Sequence, residues 1–292
     1  MKAMTDVAST MTTHGPAVPA QPLLLDSPHS GRDFPPDFAA AVSEYALRDG
    51  EDCFVDELYL PATERGVWLL AAQFPRTYLD ANRHHSDIDL DLLEGGRWPH
   101  AHQPSGKAAI GKSLIWRTLD DGAPIYARKL PVDEVRARIE RCHAPYHRAL
   151  RQRIEATHAR FGRSFHINCH SMNAVSGAMS EGGAGQVRAD IVLGDRDGTS
   201  CAPAFTAFVR DVLGGFGYEV KVNDPFKGVE LVRAYADPAA GRHSLQLEVN
   251  KRLYLEGDSL RRSAGFGVLQ GHLMQLVDAL HERFAPARAR HG

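Results

Sequence analysis

Three short segments constrain this chain most, because each is a run of apolar residues that leads into a side chain able to bind a metal or move a proton. They are residues 23–31, 165–171 and 245–250, with the sequences LLLDSPHSG, FHINCHS and LQLEVN. In an open α/β sheet, ligands bind outside the carboxyl ends of the strands. If these segments are neighbouring strands, two imidazoles and a carboxylate converge at one edge of the sheet.

His29 and His170, in the first two of these segments, are the candidate metal ligands. Two histidines and a carboxylate form a common open zinc site, and a further carboxylate can then act as a base. A single histidine at such a position is more often a hydrogen-bonding residue or a satisfied buried one. The two together favour a metal-dependent hydrolase, with Zn²⁺ as the expected cofactor.

The third metal ligand is expected to be Asp52 or Asp56. Their i, i+4 spacing places both on one face of a helix predicted over residues 52–65. A carboxylate that faces inward needs a partner, and a metal ion is one. Asp52 is slightly favoured because helix starts lie near strand ends, although the helix dipole also explains an acidic residue there. The choice between the two aspartates stays open.

Glu248 is the candidate general base. In the third segment, Gln246, Glu248 and Asn250 share one strand face, and Leu247 and Val249 share the other. A glutamate in a central strand is costly unless it is paired or catalytic, whereas in an edge strand it can simply face solvent. As a base, it accepts a proton from the attacking water and passes it to the leaving nitrogen.

Arg76, Asn82 and Arg83 are candidate substrate ligands, and Arg233 is a further one. A guanidinium binds a carboxylate through a planar fork, and an asparagine amide adds hydrogen-bond donors. The alternative is ordinary surface charge, with Asp80 as the partner of the arginines. These residues predict a small-molecule substrate that carries carboxylates.

Strands that alternate with helices predict an α/β fold, with a mostly parallel central sheet flanked by helices. One domain is expected over residues 21–286, between a disordered leader (1–20) and a C-terminal tail (287–292). The predicted strands are 22–28, 67–72, 165–169, 190–193, 218–223 and 244–249, with two hairpin strands near 114–116 and 125–126. The longer predicted helices are 132–161, 203–214 and 259–284, and Pro145 should kink the first.

Composition argues against several classes of partner and compartment. The formal net charge of −2 gives no electrostatic reason to expect nucleic acid or an anionic membrane as partner. No apolar stretch approaches the roughly 18 to 20 residues that span a bilayer. The four cysteines form no CxxC pair and fit a reducing cytoplasmic compartment. The chain has no G-x-S-x-G motif, which disfavours a serine hydrolase.

Several segments together resemble the N-formylglutamate amidohydrolase (deformylase) family. They occur in order along the chain: PHSG at 28–31, DCFVD at 52–56, RTYLDANR at 76–83, PYH at 145–147, CHSM at 169–172, DIVLG at 190–194, NDPFKG at 223–228 and LE at 247–248. The resemblance implies a zinc-dependent amide hydrolase with a fold like that of the zinc carboxypeptidases (phosphorylase/hydrolase-like). In that wider group an Asn-Arg pair holds the substrate carboxylate and a late-strand glutamate is the base, which Asn82-Arg83 and Glu248 match.

The resemblance further implies release of formate from N-formyl-L-glutamate, a late step of histidine breakdown. One departure is that zinc carboxypeptidases use a His-x-x-Glu pair, whereas Arg32 stands three residues after His29. The second ligand must therefore come from elsewhere in the chain. The alternatives are a related metallo-amidohydrolase acting on another N-acyl amino acid or formamide, and a non-catalytic protein that binds a carboxylated ligand.

Overall fold

A single mixed sheet organises the computed structural model, which describes residues 9–177, 183–257 and 259–284. Its strands are β1 (Met11–His14), β2 (Leu23–Ser27), β3 (Trp68–Ala72), β4 (Ser164–Met172), β5 (Ile191–Gly194), β6 (Val220–Val222) and β7 (Arg242–Asn250). The α-helices are α1 (Glu44–Leu47), α2 (Val55–Tyr59), α3 (Val132–Arg138), α4 (Ala144–Phe161), α5 (Pro203–Gly215), α6 (Glu230–Tyr235) and α7 (Gly265–Phe284).

The strands follow the order β1-β3-β2-β4-β7-β5-β6 across the sheet. Pairing is parallel except where β1 meets β3 and where β5 meets β7. The predicted α/β class with a mostly parallel sheet is therefore confirmed. The order also confirms that the three apolar segments are neighbours, because β2, β4 and β7 lie side by side.

Apolar side chains cover much of both faces of the sheet, which suits the mainly apolar sequences of β2 and β3. On one face, Leu25 and Ile167 join a cluster to which α2, α5 and α7 contribute. On the other face, Leu24 joins a cluster that includes residues of α3, α4 and the long segment after β3. The two layers leave the carboxyl ends of β2, β4 and β7 as the edge where polar side chains gather.

The prediction of a disordered leader over residues 1–20 is wrong for part of that range. Residues 11–14 form β1, which pairs antiparallel with β3 at the edge of the sheet. This strand is short and partly exposed, so it lacks the apolar alternation that identifies a strand in sequence. Residues 1–8 and the predicted tail 287–292 lie outside the described residues, and one domain over residues 21–286 stays a prediction.

Two other predicted elements differ in the structure. The helix expected over 132–161 is interrupted by a π-helical turn, Ile139–His143, that directly precedes α4 and Pro145. The expected hairpin strands near 114–116 and 125–126 are replaced by isolated bridges, Lys112 with Trp116 and Thr118 with Pro124. None of the helices in the described residues is long and apolar enough to cross a membrane.

Candidate metal and active site

The carboxyl ends of β2, β4 and β7 bring the predicted metal and base residues to one place. His29 follows β2, whereas His170 and Glu248 lie near the ends of β4 and β7 and face each other in the parallel register. Because β7 lies between β4 and β5, Glu248 belongs to an interior strand. Its side chain is buried, so a solvent-facing edge position does not account for it.

Backbone contacts fix Asp52 beside His29. A β-carbon at Gly31 would lie 2.3 Å from the carbonyl oxygen of Phe74, so only glycine permits this close approach of the loop after β2. The amide of Asp52 donates to the carbonyl oxygen of His29 at 3.0 Å. The hydroxyl of Ser30 donates to the carbonyl oxygen of Asp52 at 3.1 Å. The two ligand-bearing segments are therefore tied together by one main-chain hydrogen bond and by the hydroxyl of Ser30.

His29, Asp52 and His170 form the group that could hold a metal ion in the described part of the chain. Asp52 Oδ2 lies 3.3 Å from His29 Nδ1 and 3.0 Å from His170 Nδ1. The two imidazole rings are 4.7 Å apart between centroids. All three side chains are buried. Three metal-binding atoms thus face one another among buried side chains.

The outer partners of the two histidines fix which nitrogen faces this group. His29 Nε2 lies 2.7 Å from Asp80 Oδ1, and His170 Nε2 lies 2.6 Å from Asn168 Oδ1. Both oxygens are acceptors, so a metal bound at the two Nδ1 atoms would leave the proton of each ring on Nε2. His170 Nδ1 also lies at hydrogen-bond distance, 3.0 Å, from Asp52 Oδ2.

A cation is the group that such an arrangement fits. His29 Nδ1 is buried and has no hydrogen-bond partner in the described residues. A cation between the two imidazole nitrogens and the carboxylate oxygen would give the His29 nitrogen a partner and neutralise the charge of Asp52. This donor set is the one that open zinc sites use, with room for water or substrate as a further ligand.

Asp56 does not join the group, and the shared helix face predicted for the two aspartates is wrong. Phe54 adopts a left-handed conformation, with φ 60° and ψ 14°, and α2 begins only at Val55. Asp52 therefore precedes the helix, and the chain turns between it and Asp56. The amide of Asp56 donates to the hydroxyl of Ser30, which leaves its carboxylate outside the metal-binding set.

The surroundings of the site keep Asp52 ionised and bring the pKa of Glu248 close to neutral pH. Burial acts to raise the pKa of Asp52, but the hydrogen bond with His170 and the charges of His170 and His29 outweigh it and hold the pKa below its usual range. Burial raises the pKa of Glu248 to about 7, although the charge of His170 acts in the opposite direction. Glu248 can therefore both accept and return a proton near neutral pH.

A cleft of about 420 Å³ opens onto this group. Its acidic lining residues are Asp52, Asp120 and Glu248, and its basic lining residues are Arg76, Arg83, Lys107, Lys112, Arg188, Lys227 and Lys251. Basic side chains are thus in excess over acidic ones. Such a lining attracts anionic ligands and favours a substrate that carries carboxylates.

Arg76, Asn82 and Arg83 all line the cleft, as expected of substrate ligands. Arg76 Nε donates to Asp80 Oδ2 at 3.1 Å, and Arg83 Nε donates to the carbonyl oxygen of Lys112 at 3.2 Å. Asn82 accepts a hydrogen bond from the amide of Leu231 through Oδ1, so its Nδ2 points toward His170 Nε2, 3.2 Å away.

Arg233 is not brought to the cleft, so the structure does not support it as a substrate ligand. Its guanidinium makes two hydrogen bonds of 2.9 Å to the carboxylate of Glu230, three residues earlier in α6. Half of its side chain is exposed. The short helix turns Arg233 toward solvent, and the local ion pair satisfies its charge.

Three residues of the site were not predicted from the sequence. Asp80 and Asn168 orient the two histidines, and Arg188 lines the cleft. The alternation of polar residues in β4 indicated Asn168, because it shares a strand face with His170. Asp80 had appeared only as a surface partner of the arginines, although it is fully buried.

Comparison with known proteins gives a consistent result. The sequence model of the N-formylglutamate amidohydrolase family matches residues 21–255. N-formylglutamate deformylase of Pseudomonas putida is 30% identical over 248 residues, which cover 80% of this chain and 82% of that protein. The enzyme of the same name from Pseudomonas aeruginosa is 30% identical over 241 residues, with the same coverage.

Solved structures agree with the sequence relatives. The crystal structure of N-formylglutamate amidohydrolase from Ralstonia eutropha JMP134 superimposes with a TM-score of 0.87 at 42% identity, over 94% of this chain and 98% of that one. An Agrobacterium tumefaciens protein shares the fold, with a TM-score of 0.64 at 16% identity over 94% of this chain and 96% of that one. The match over most of the chain, with the resembling segments in order, places this chain in the N-formylglutamate amidohydrolase family.

Proposed function

We propose that this chain is a zinc-dependent amide hydrolase that releases formate from N-formyl-L-glutamate and yields L-glutamate. The observation that carries the proposal is the convergence of His29 Nδ1, His170 Nδ1 and Asp52 Oδ2 at the inner end of a basic cleft. The names of the Pseudomonas and Ralstonia relatives support the substrate.

His29, Asp52 and His170 would hold the metal in this proposal, and Asp56 would not. When bound, zinc polarises a carbonyl group and lowers the pKa of a coordinated water to around 7, which provides a nucleophile at neutral pH. Asp80 and Asn168 keep the imidazoles in the required tautomer. Such outer partners typically contribute a factor of about 10 to 100 in metal affinity.

Glu248 is the proposed general base and then the general acid. It accepts the proton of the water whose oxygen attacks the formyl carbon. When the carbon–nitrogen bond breaks, the same carboxyl group returns the proton to the nitrogen. Formate and the free amine of L-glutamate are the products. The raised pKa of Glu248 suits both proton transfers.

Arg83 and Asn82 are the proposed ligands of a substrate carboxylate, and Arg76 contributes positive charge beside them. N-formyl-L-glutamate carries two carboxylates, and the excess of basic side chains along the cleft fits a dianion. We further propose a cytoplasmic location, which the four unpaired, buried cysteines support, and a role in histidine breakdown.

The proposal is tested by formate release from N-formyl-L-glutamate by the purified protein, before and after treatment with a chelator and after addition of zinc. Release that the chelator abolishes and zinc restores is the expected result. A folded, zinc-loaded protein that releases no formate would contradict the substrate assignment. A panel of N-acetyl and other N-formyl amino acids then shows whether another N-acyl amino acid is the substrate.

A further inference from the structure

The segment that carries Asn82 and Arg83 is held by two histidines of a helix that does not line the cleft. His147 Nε2 lies 2.8 Å from the carbonyl oxygen of Ala81, and His143 Nε2 lies 3.0 Å from that of Arg83. A carbonyl oxygen only accepts hydrogen bonds, so both imidazoles donate. The peptide groups before Asn82 and after Arg83, which flank this pair, are therefore fixed to α4 and the turn before it.

A π-helical turn, Ile139–His143, ends at the first of the two histidines. The amide of Ala144 bonds to the carbonyl oxygen of Ile139, so this turn holds one more residue than an α-helical turn. His143 and His147 then lie four residues apart on one helix face, and their rings stack with centroids 3.9 Å apart. Turns of this kind are frequent at functional sites, and neither histidine takes part in the proposed proton transfers.

The two imidazoles are fixed donors because they stay neutral. Burial lowers the pKa of His143 to about 3 and the pKa of His147 to about 4. Because His147 Nε2 donates to the carbonyl oxygen of Ala81, its Nδ1 is an acceptor for the hydroxyl of Tyr235 in α6, 2.7 Å away. That hydroxyl also lies 3.1 Å from the carbonyl oxygen of His147. At the pH of catalysis, both rings therefore keep the same donor atom pointed at the segment.

Helix α6 completes the support from the other side. The amide of Leu231 donates to Asn82 Oδ1 at 2.9 Å, and Tyr235, four residues later, contacts His147. The amide orientation of Asn82 and the backbone of its neighbours are thus determined by α4 and α6 together. Arg83 shares this backbone and lines the cleft, where its guanidinium donates to the carbonyl oxygens of Asn82 and Lys112.

We propose that His143 and His147 are positioning residues, which hold Asn82 and Arg83 in the orientation that binds a substrate carboxylate. This inference rests on the proposed function. The two histidines act through the carbonyl oxygens of Ala81 and Arg83 and touch neither the substrate nor the metal ligands. Their loss should therefore weaken carboxylate binding and leave the metal and the proton transfers in place.

The test compares glutamine and methionine at each position, in the full-length, zinc-loaded protein. Glutamine places an amide donor near the position of Nε2, whereas methionine has a similar length and no donor. The measurements are kcat and KM for N-formyl-L-glutamate, the Kd of L-glutamate by calorimetry, the zinc content and the melting temperature. His158→Met is the matched control, because His158 of α4 also contacts a backbone carbonyl oxygen, that of Ala240, but roughly 16 Å further along the helix.

His143→Met and His147→Met should each raise KM and the Kd of L-glutamate about tenfold or more, because a small misplacement of a substrate ligand is costly. Their kcat should stay within about threefold, and zinc content should not change. His143→Gln, His147→Gln and His158→Met should stay within about threefold in both KM and Kd. Tyr235→Phe removes one hydroxyl and should raise KM and the Kd of L-glutamate by a smaller factor. If the methionine variants do not fold, Tyr235→Phe is the variant that tests the inference.

Unchanged KM and Kd in the methionine variants would overturn the inference. Equal increases of KM and Kd in the glutamine and methionine variants would also overturn it, because they indicate a structural role alone. A wild-type protein that binds L-glutamate but releases no formate contradicts the proposed function, and the Kd values then still decide the inference. A zinc-loaded wild type that binds no L-glutamate overturns the inference together with the carboxylate site.

Discussion

At the scale of single residues, the burial of Glu248 does not help to stabilise the fold but suits a role in proton transfer. Glu248 is 8% exposed in an interior strand, where Gln246 Nε2 donates to its Oε1 at 2.9 Å. A carboxyl group in such a place is costly for the fold unless it has a task. A pKa of about 7 makes it able to exchange a proton with water and with a leaving nitrogen.

Glu248→Gln should lower kcat by roughly a hundredfold or more, because glutamine has nearly the same size but cannot accept the proton. Zinc content should stay that of the wild type, since the three proposed ligands are intact. The measurements are formate release and metal analysis, with Glu256→Gln at an ion-paired surface glutamate as the control. Full activity in Glu248→Gln would remove this residue from the mechanism.

Arg83 and Arg233 allow a direct comparison of two arginines that were predicted for the same task. Arg83→Ala should raise KM for N-formyl-L-glutamate by about tenfold or more, because it removes a charged donor from the cleft. Arg233→Ala should leave KM within about twofold, since its charge is satisfied by Glu230. Steady-state kinetics of the two variants decide the point, and equal effects would contradict the assignment of the carboxylate site.

The reactive residues could be predicted from the sequence, whereas their partners could not. His29, His170 and Glu248 each end or follow an apolar strand, and parallel neighbours bring such ends together. Asp80 lies 51 residues from the histidine that it orients, so no local spacing indicates the contact. The sequence does not separate Asp56 from Asp52, because the left-handed conformation of Phe54 between them has no recognisable sequence signal.

At the scale of elements, the two faces of β4 have different roles, because side chains alternate along a strand: one face packs into the core and the other carries residues of the site. Ile167 and Cys169 point into an apolar cluster, whereas His166 and Asn168 lie on the polar face with His170. The polar face is anchored by Asp26 of β2, whose carboxylate contacts His166 Nε2 at 2.7 Å and accepts from Asn168 Nδ2 at 2.8 Å. Asp26 therefore fixes the asparagine that in turn orients His170.

Tyr146→Phe should destabilise the fold by about 1–3 kcal/mol, because it removes a donor to the buried carboxylate of Asp26. The hydroxyl of Tyr146 donates to Asp26 Oδ2 at 2.8 Å. Urea unfolding of the zinc-free protein measures the loss. Tyr45→Phe, at a tyrosine that is 69% exposed, is the control and should be neutral. The same midpoint in Tyr146→Phe and wild type would show that this hydrogen bond does not stabilise the fold.

Elements with a strong apolar pattern were predictable, and those set by backbone geometry or by pairing were not. The predicted strands 22–28, 165–169 and 244–249 correspond to β2, β4 and β7, although β4 extends to Met172. β1 is stabilised by pairing with β3 and not by an apolar face of its own. The helix predicted over 132–161 was correct in extent, but Pro145 gave no indication of the π-helical turn just before it.

At the scale of the whole molecule, buried carboxylates should make the zinc-free fold sensitive to acid. Burial acts to raise the pKa values of Asp26 and Asp80, but the charges of neighbouring His166, Arg76 and others outweigh it, so both values are lowered. The stability that they provide is complete above the pKa of an unfolded aspartate, about 3.9, and is lost as the pH falls through the lower folded values.

The raised pKa of Glu248 acts in the opposite direction. The folded protein binds this proton more tightly than the unfolded chain, which adds stability as the pH falls from 8 towards 5. The lowered pKa values of His143 and His147 remove stability as the pH falls below about 6.5, so the net stability should decrease below about pH 6 and decrease further below about 4. Urea midpoints of the zinc-free protein between pH 8 and 3 test this profile. A midpoint that does not decrease below pH 4 would contradict the role of the ionised carboxylates.

Zinc should stabilise the whole fold, because its three proposed ligands come from segments far apart in the sequence. His29 follows β2, Asp52 lies before α2, and His170 belongs to β4, so an unfolded chain cannot present them together. A ligand that binds only the folded state adds about 2.7 kcal/mol at a free concentration 100 times its Kd. The melting temperature should therefore rise on zinc addition and fall on chelation. His170→Ala should show almost no zinc-dependent shift, whereas His158→Met should keep the full shift. A wild-type melting temperature that is the same with zinc and with chelator would contradict the proposed metal site, whatever the activity of the protein.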